Sequence, residues 1–100
     1  MEFLVNIKIQ WPQSLAAAEK AHIIAAERAR AAELAASGHL VRIWRVPCQT
    51  ANWGIWKAGD ATELHDIISG LPAHPWMTDI DVIALARHPS DPVSAQGSET

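Results

Sequence analysis

An α+β domain with the element order βαββαβ is predicted by three observations. Residues 2 to 10 alternate between apolar and polar side chains, the stretch from Ser14 to Ser37 is built of strong helix formers, and residues 40 to 57 hold two strand-like runs joined by a short break. A second, shorter helix pattern and a final strand pattern follow.

In the first strand Phe3, Val5, Ile7 and Ile9 point one way and Asn6, Lys8 and Gln10 the other, the two-residue period of a half-buried strand. Pro12 lacks the amide a ladder needs, so the strand stops at Trp11-Pro12. The helix expected from Ser14 has that serine as N-cap and Gly38 as its C-terminal stop. Its Ile23, Ala31 and Leu34 follow the 3.6 period, and Glu27 falls in line with that apolar stripe. Strands over 40 to 47 and 50 to 57 with a turn at Pro47 to Gln49 read as a hairpin. Asp60, with Glu63 three residues on, N-caps the second helix, which Gly70 and Pro72 end. Two prolines stiffen Leu71 to Trp76. The last strand spans Asp79 to Arg87, with Ile80, Val82, Ala84 and Ala86 on one side and Ile83 and Leu85 on the other, both sides partly covered.

This order is the split βαβ, or ferredoxin-like, arrangement: an antiparallel four-stranded sheet with two helices on one face. Trp44, Trp56 and the two-sided last strand predict that the other face is covered too, by a second copy of the chain. Residues 1–89 form the domain, and 90–100, mostly Ser, Asp, Pro, Gln, Gly, Glu and Thr, form a polar C-terminal tail.

Composition narrows the classes of function. One hundred residues fit one domain, and 49% hydrophobic with 19% charged residues is globular. A net charge of −3 with scattered basic residues argues against a nucleic-acid partner. No apolar run approaches the ~20 residues that span a bilayer, and the N-terminus lacks a basic segment followed by a long apolar one. With a lone Cys48 that has no internal disulfide partner, the reading is a cytoplasmic protein. Neither a glycine-rich phosphate loop nor a Cys/His metal spacing is present, so no metal and no cofactor are expected.

The candidate site residues come from position. Glu27 between helix and sheet would have its pKa raised by desolvation and lowered by a nearby arginine, as a general base requires; the alternative is a surface carboxylate paired with Arg30. His65 is either a core histidine or a proton shuttle. Arg42 and Arg45 point to opposite faces of the sheet, and one of them anchors an anionic ligand if either does. Asn52 is placed to offer an amide to a ligand carbonyl, and Trp44 and Trp76 to wall a pocket for a small cyclic substrate. Cys48 reads as an ordinary thiol.

Ile43-Trp44-Arg45-Val46, Ala51-Asn52-Trp53, Glu63-Leu64-His65-Asp66, Leu71-Pro72 with Pro75-Trp76-Met77, and Arg87-His88-Pro89 together resemble the muconolactone Δ-isomerases in order and spacing. The resemblance covers nearly the whole chain to Pro89. It implies a cofactor-independent isomerase of aromatic hydrocarbon catabolism in the 3-oxoadipate pathway, shifting a ring double bond of muconolactone to give 3-oxoadipate enol-lactone. It also implies a ferredoxin-like fold in a homo-oligomer, a decamer built from dimers, with pockets at subunit contacts. Such chemistry needs a base, a donor for the dienolate oxygen and a cation for the carboxylate, which Glu27, Asn52 and Arg42 or Arg45 supply. Where the family carries a Gly-His-Tyr-like turn this chain has Cys48-Gln49-Thr50, and His74 replaces a more usual aromatic residue. Two alternatives stay open: a paralogue acting on another lactone, such as dehalogenation of a chloromuconolactone, and a non-catalytic ligand-binding or assembly module.

Overall fold

The computed structural model describes residues 1–93, so most of the tail expected over 90–100 lies outside the described residues. The elements are β1 (Glu2–Ile9), α1 (Ala17–Ala36), β2 (Leu40–Arg45), β3 (Ala51–Lys57), α2 (Ala61–Ser69), a 3-10 turn (His74–Trp76) and β4 (Met77–Leu85). The strands form one antiparallel sheet in the order β2-β3-β1-β4. The predicted ferredoxin-like architecture is therefore the observed one.

Directly opposed residues of an antiparallel pair share a face, so the register sorts the side chains. Phe3, Val5 and Ile7 stand opposite Trp56, Gly54 and Asn52 on one flank and Ala84, Val82 and Ile80 on the other. This is the helix-covered face. Phe3, Val5, Ile7 and Trp56 pack there with Leu34 of α1 and Leu64 and Ile68 of α2 into a single core. Burying each large apolar side chain contributes roughly 1.5–3 kcal/mol, and the side chains of Phe3 and Val5 are fully buried. On the opposite face Leu4, Ile55, Trp53, Trp44, Ile83 and Leu85 carry the apolar area, with Trp44 45% and Ile83 51% exposed. Trp56 thus belongs to the helix side, contrary to the expectation that it marks the second face with Trp44. The end of β4 is exposed on both of its sides, because the helices do not reach it.

Helix α1 begins later than Ser14. Its N-cap is Ala16, with no side-chain cap, while Leu15 N–H donates to Pro12 carbonyl in a preceding turn. Its end follows the expectation: Gly38 has φ 87°, Gly38 N–H donates to Ala35 and His39 N–H to Leu34, a Schellman pattern that satisfies the last carbonyls. Asp60 caps α2 by accepting from Glu63 N–H at 2.8 Å, and Glu63 answers by accepting from Gly59 N–H at 3.1 Å. The return bond falls one residue before the cap, a shifted capping box. Strand β4 starts at Met77, two residues before the expected Asp79, because the 3-10 turn delivers the chain directly opposite Ile9. It ends at Leu85 rather than Arg87, where β1 runs out of residues to pair.

Candidate active site

Glu27 sits on α1 with Ile23, Ala31 and Leu34, as the stripe predicts, and it is half-buried. The backbone N–H of Ala73, in the segment between α2 and the 3-10 turn, donates to Glu27 Oε1 at 3.2 Å. Burial raises the Glu27 pKa above the ordinary glutamate value, and the Ala73 bond partly opposes that rise. Arg30 does not pair with it: that guanidinium lies 3.6 Å from Glu33 instead, one helical turn away on the exposed side. The predicted tuning by an arginine is replaced by a backbone amide.

Next to Glu27 in sequence, Arg28 borders an open cavity of about 660 Å³ between α1 and the far end of the β2–β3 hairpin. Trp44 and Arg45 of β2, Gln49 and Thr50 of the turn, and Asn52 of β3 complete its polar wall, with Ile9 and Ile43 adding apolar surface. Arg45 lies directly opposite Asn52 across the hairpin, on the helix-covered face. Asn52 Oδ1 is buried and has no hydrogen-bond partner, an acceptor position that ordinarily finds one. Its backbone carbonyl accepts from Asn6 Nδ2 at 3.0 Å, which fixes the strand beneath it.

Arg42 is placed elsewhere. It pairs with Ile55, so it occupies the open face, and its guanidinium stacks 4.8 Å from the Trp44 ring. The opposite parity of Arg42 and Arg45 is as expected, and only Arg45 borders the cavity. Trp76 stands apart from Trp44: its ring packs 5.6 Å from Trp11 at 37°, and it does not line the cavity. His65 is exposed on α2 rather than in the core. With His74, Leu64, Ile68 and Ile80 it lines a separate groove of about 380 Å³ between α2 and β4. The sequence reading missed Arg28, Gln49 and Thr50. Arg28 was legible only as the residue after Glu27, and Gln49 and Thr50 only as members of a turn whose direction the sequence does not reveal.

Cys48 is exposed at the tip of the hairpin with φ 62°. Gln49 N–H donates to Val46 carbonyl at 3.3 Å, closing a four-residue turn with Pro47 second and Cys48 third, where glycine is usual. No group of three or more His, Cys, Asp or Glu side chains that could hold a metal ion occurs among the described residues.

The family model for muconolactone delta-isomerase matches residues 1–91. The chain belongs to this family. It is 39% identical over 90 residues to the muconolactone Delta-isomerase of Cupriavidus pinatubonensis, covering 90% of this chain and 97% of the relative. To the Acinetobacter baylyi muconolactone Delta-isomerase it is 38% identical, covering 90% and 93%. A crystal structure of muconolactone isomerase superposes with a TM-score of 0.85 at 32% identity, covering 92% of this chain and 95% of that one. A 5-chloro-2-hydroxyhydroquinone dehydrochlorinase from Burkholderia phenoliruptrix shares the fold, with a TM-score of 0.67 at 19% identity over 88% and 96% of the two chains. Members of the muconolactone delta-isomerase family thus match the chain along nearly all of its described length, and the hairpin and α1 that frame the cavity lie inside the matched region.

Proposed function

We propose that this protein is a muconolactone Δ-isomerase that moves the ring double bond of muconolactone by a 1,3 proton shift, giving 3-oxoadipate enol-lactone. The observation that carries the mechanism is Glu27, a half-buried carboxylate raised in pKa by burial and held by the Ala73 amide; it does not itself line the cavity, which its neighbour Arg28 borders. A base for a weakly acidic ring C–H benefits from a basicity above that of a free carboxylate. Glu27 removes the proton γ to the lactone carbonyl and a proton returns at the α carbon. Arg45, on the same side of the sheet as the cavity, holds the side-chain carboxylate, a task Arg42 on the other face does not share. Asn52 turns its amide N–H to the ligand as a donor. Trp44 closes one border of the cavity. Like Glu27, His65 and Trp76 do not line this cavity; His65 borders the separate groove between α2 and β4, and Trp76 packs on Trp11.

The reaction needs no group beyond these side chains, since a proton is removed and returned without net oxidation. We place the enzyme in the cytoplasm, in aromatic catabolism; no helix among the described residues is long and apolar enough to cross a membrane. The exposed apolar face of Trp44, Trp53, Ile83 and Leu85 supports assembly through that face into a homo-oligomer, which we take to be a decamer built from dimers. Light scattering tests this, and a stable monomer contradicts it. The activity is tested by following ultraviolet absorbance after adding enzyme to muconolactone; a rate equal to that in buffer sinks the isomerase reading and leaves a binding module. Release of chloride from a chlorinated muconolactone, without turnover of the parent lactone, would point to the dehalogenating alternative.

A further inference from the structure

We propose that Arg28 holds the negative charge that arrives on the lactone carbonyl oxygen during the proton shift, while Arg45 holds the substrate's carboxylate. The inference rests on the isomerase reading and divides the work of its cavity between two walls. Arg28 comes from α1 and Arg45 from β2, and both border the same 660 Å³ space. Among the described residues neither guanidinium forms an ion pair, whereas Arg30 on the same helix is paired with Glu33. Two unneutralised cations converging on one space, in a chain of net charge −3, suit a ligand with two separate acceptor ends.

The remaining donors decide which end goes where. Gln49, Thr50 and Asn52 gather on the hairpin side around Arg45, and Arg28 faces them alone from the helix. A carboxylate offers about four lone-pair sites and is best met by several donors, so it belongs on the hairpin side. The lactone carbonyl, the substrate's other strong acceptor, is then turned toward α1. There the electron count places the charge. As Glu27 takes the γ proton, the C–H pair becomes the β,γ double bond, the old α,β pair moves to the bond between the α carbon and the carbonyl carbon, and the carbonyl pair settles on oxygen. Collapse of that enolate returns the pair to the α carbon, which takes up a proton. The oxygen is charged only between the two proton transfers, so a cation beside it accelerates the step more than it tightens binding. Arg28 directly follows Glu27 on α1, and of the two only Arg28 lines the cavity.

The test separates the two arginines. In Arg28→Met, kcat should fall about 100-fold with KM changed less than about threefold, and Arg28→Lys should recover part of the loss. In Arg45→Met the larger change should be a rise in KM. The second readout uses tetronate, a butenolide that carries a ring oxyanion and no side-chain carboxylate: its affinity, measured by calorimetry, should weaken about tenfold in Arg28→Met and stay nearly constant in Arg45→Met. Unchanged kcat in a folded Arg28→Met, or a rise in KM alone with tetronate affinity intact, overturns the assignment. If the wild-type protein does not turn over muconolactone the isomerase reading fails by itself, and tetronate binding still shows whether Arg28 holds a ring oxyanion.

Discussion

Ala73 N–H and Glu27 Oε1 meet at 3.2 Å although the two residues are 46 apart in sequence. That bond ties the middle of α1 to the segment leaving α2, and it holds the carboxylate at a point where burial disfavours its charge. Glu27 is the titratable group among the described residues whose pKa is resolved as shifted upward.

Replacing Glu27 by Gln should abolish most activity without unfolding the protein. A general base contributes about 100- to 10,000-fold, so kcat should drop by about that range. The amide oxygen of glutamine can still accept from Ala73, and the neutral group avoids the cost of burying a charge. Thermal melts at neutral pH should give the variant a Tm equal to or above that of the wild type. A folded variant with near wild-type kcat would place the base elsewhere.

The pH dependence follows from the direction of the shift. Because the folded-state pKa of Glu27 is raised, the protonated form favours folding: its contribution to stability is full below the unfolded pKa and is lost as pH rises through the folded one. Catalysis runs the opposite way, since the base must be ionised. The acidic limb of kcat/KM should therefore lie above the ordinary glutamate value of 4.5, and the stability difference between wild type and Glu27→Gln should grow as pH rises from 4.5 to that limb and level off above it. A limb at or below 4.5 would show that another group sets the profile.

Cys48→Gly should stabilise the protein. At φ 62° a side chain costs about 1 kcal/mol that glycine does not pay, partly offset by glycine's freedom in the unfolded chain. A net gain of about 0.5 kcal/mol in urea unfolding is expected, with activity little changed because the thiol points from the exposed tip.

Gly54→Ala should do the reverse. A Cβ on Gly54 would stand 2.8 Å from Trp56 Nε1 and 3.3 Å from the Arg42 carbonyl, and Trp56 is 3% exposed with no room to withdraw. Overpacking of this kind costs about 1–3 kcal/mol, measurable as a lower midpoint in urea. Its position between Asn52 and Trp56 on the helix-covered face would also shift the cavity wall, so KM should rise.

Periodicity and composition determined the element order, the sheet alternation and the stripe that carries Glu27, because each depends on side chains within a turn or two of one another. The end of α1 was legible for the same reason, in Gly38. Its beginning was not: Ser14 has the right chemistry for a cap, but a turn after Pro12 delays the helix to Ala17, and the backbone rather than a side chain makes the start. The family likeness also lay in the sequence, in short motifs kept in register. What only the tertiary structure decided was which side chains share a space. Strand parity separates Arg42 from Arg45 but does not say which one meets the helices; the pairing of Arg45 with Asn52 settles that. Trp44 and Trp76 are parted because the 3-10 turn carries Trp76 to Trp11. The partner of Glu27 is Ala73 and not Arg30, since an amide delivered by a distant segment enters a half-buried place that a charged side chain from the exposed surface of α1 does not reach. Local pattern sets the faces, and the crossing of α1 over the hairpin sets which faces meet.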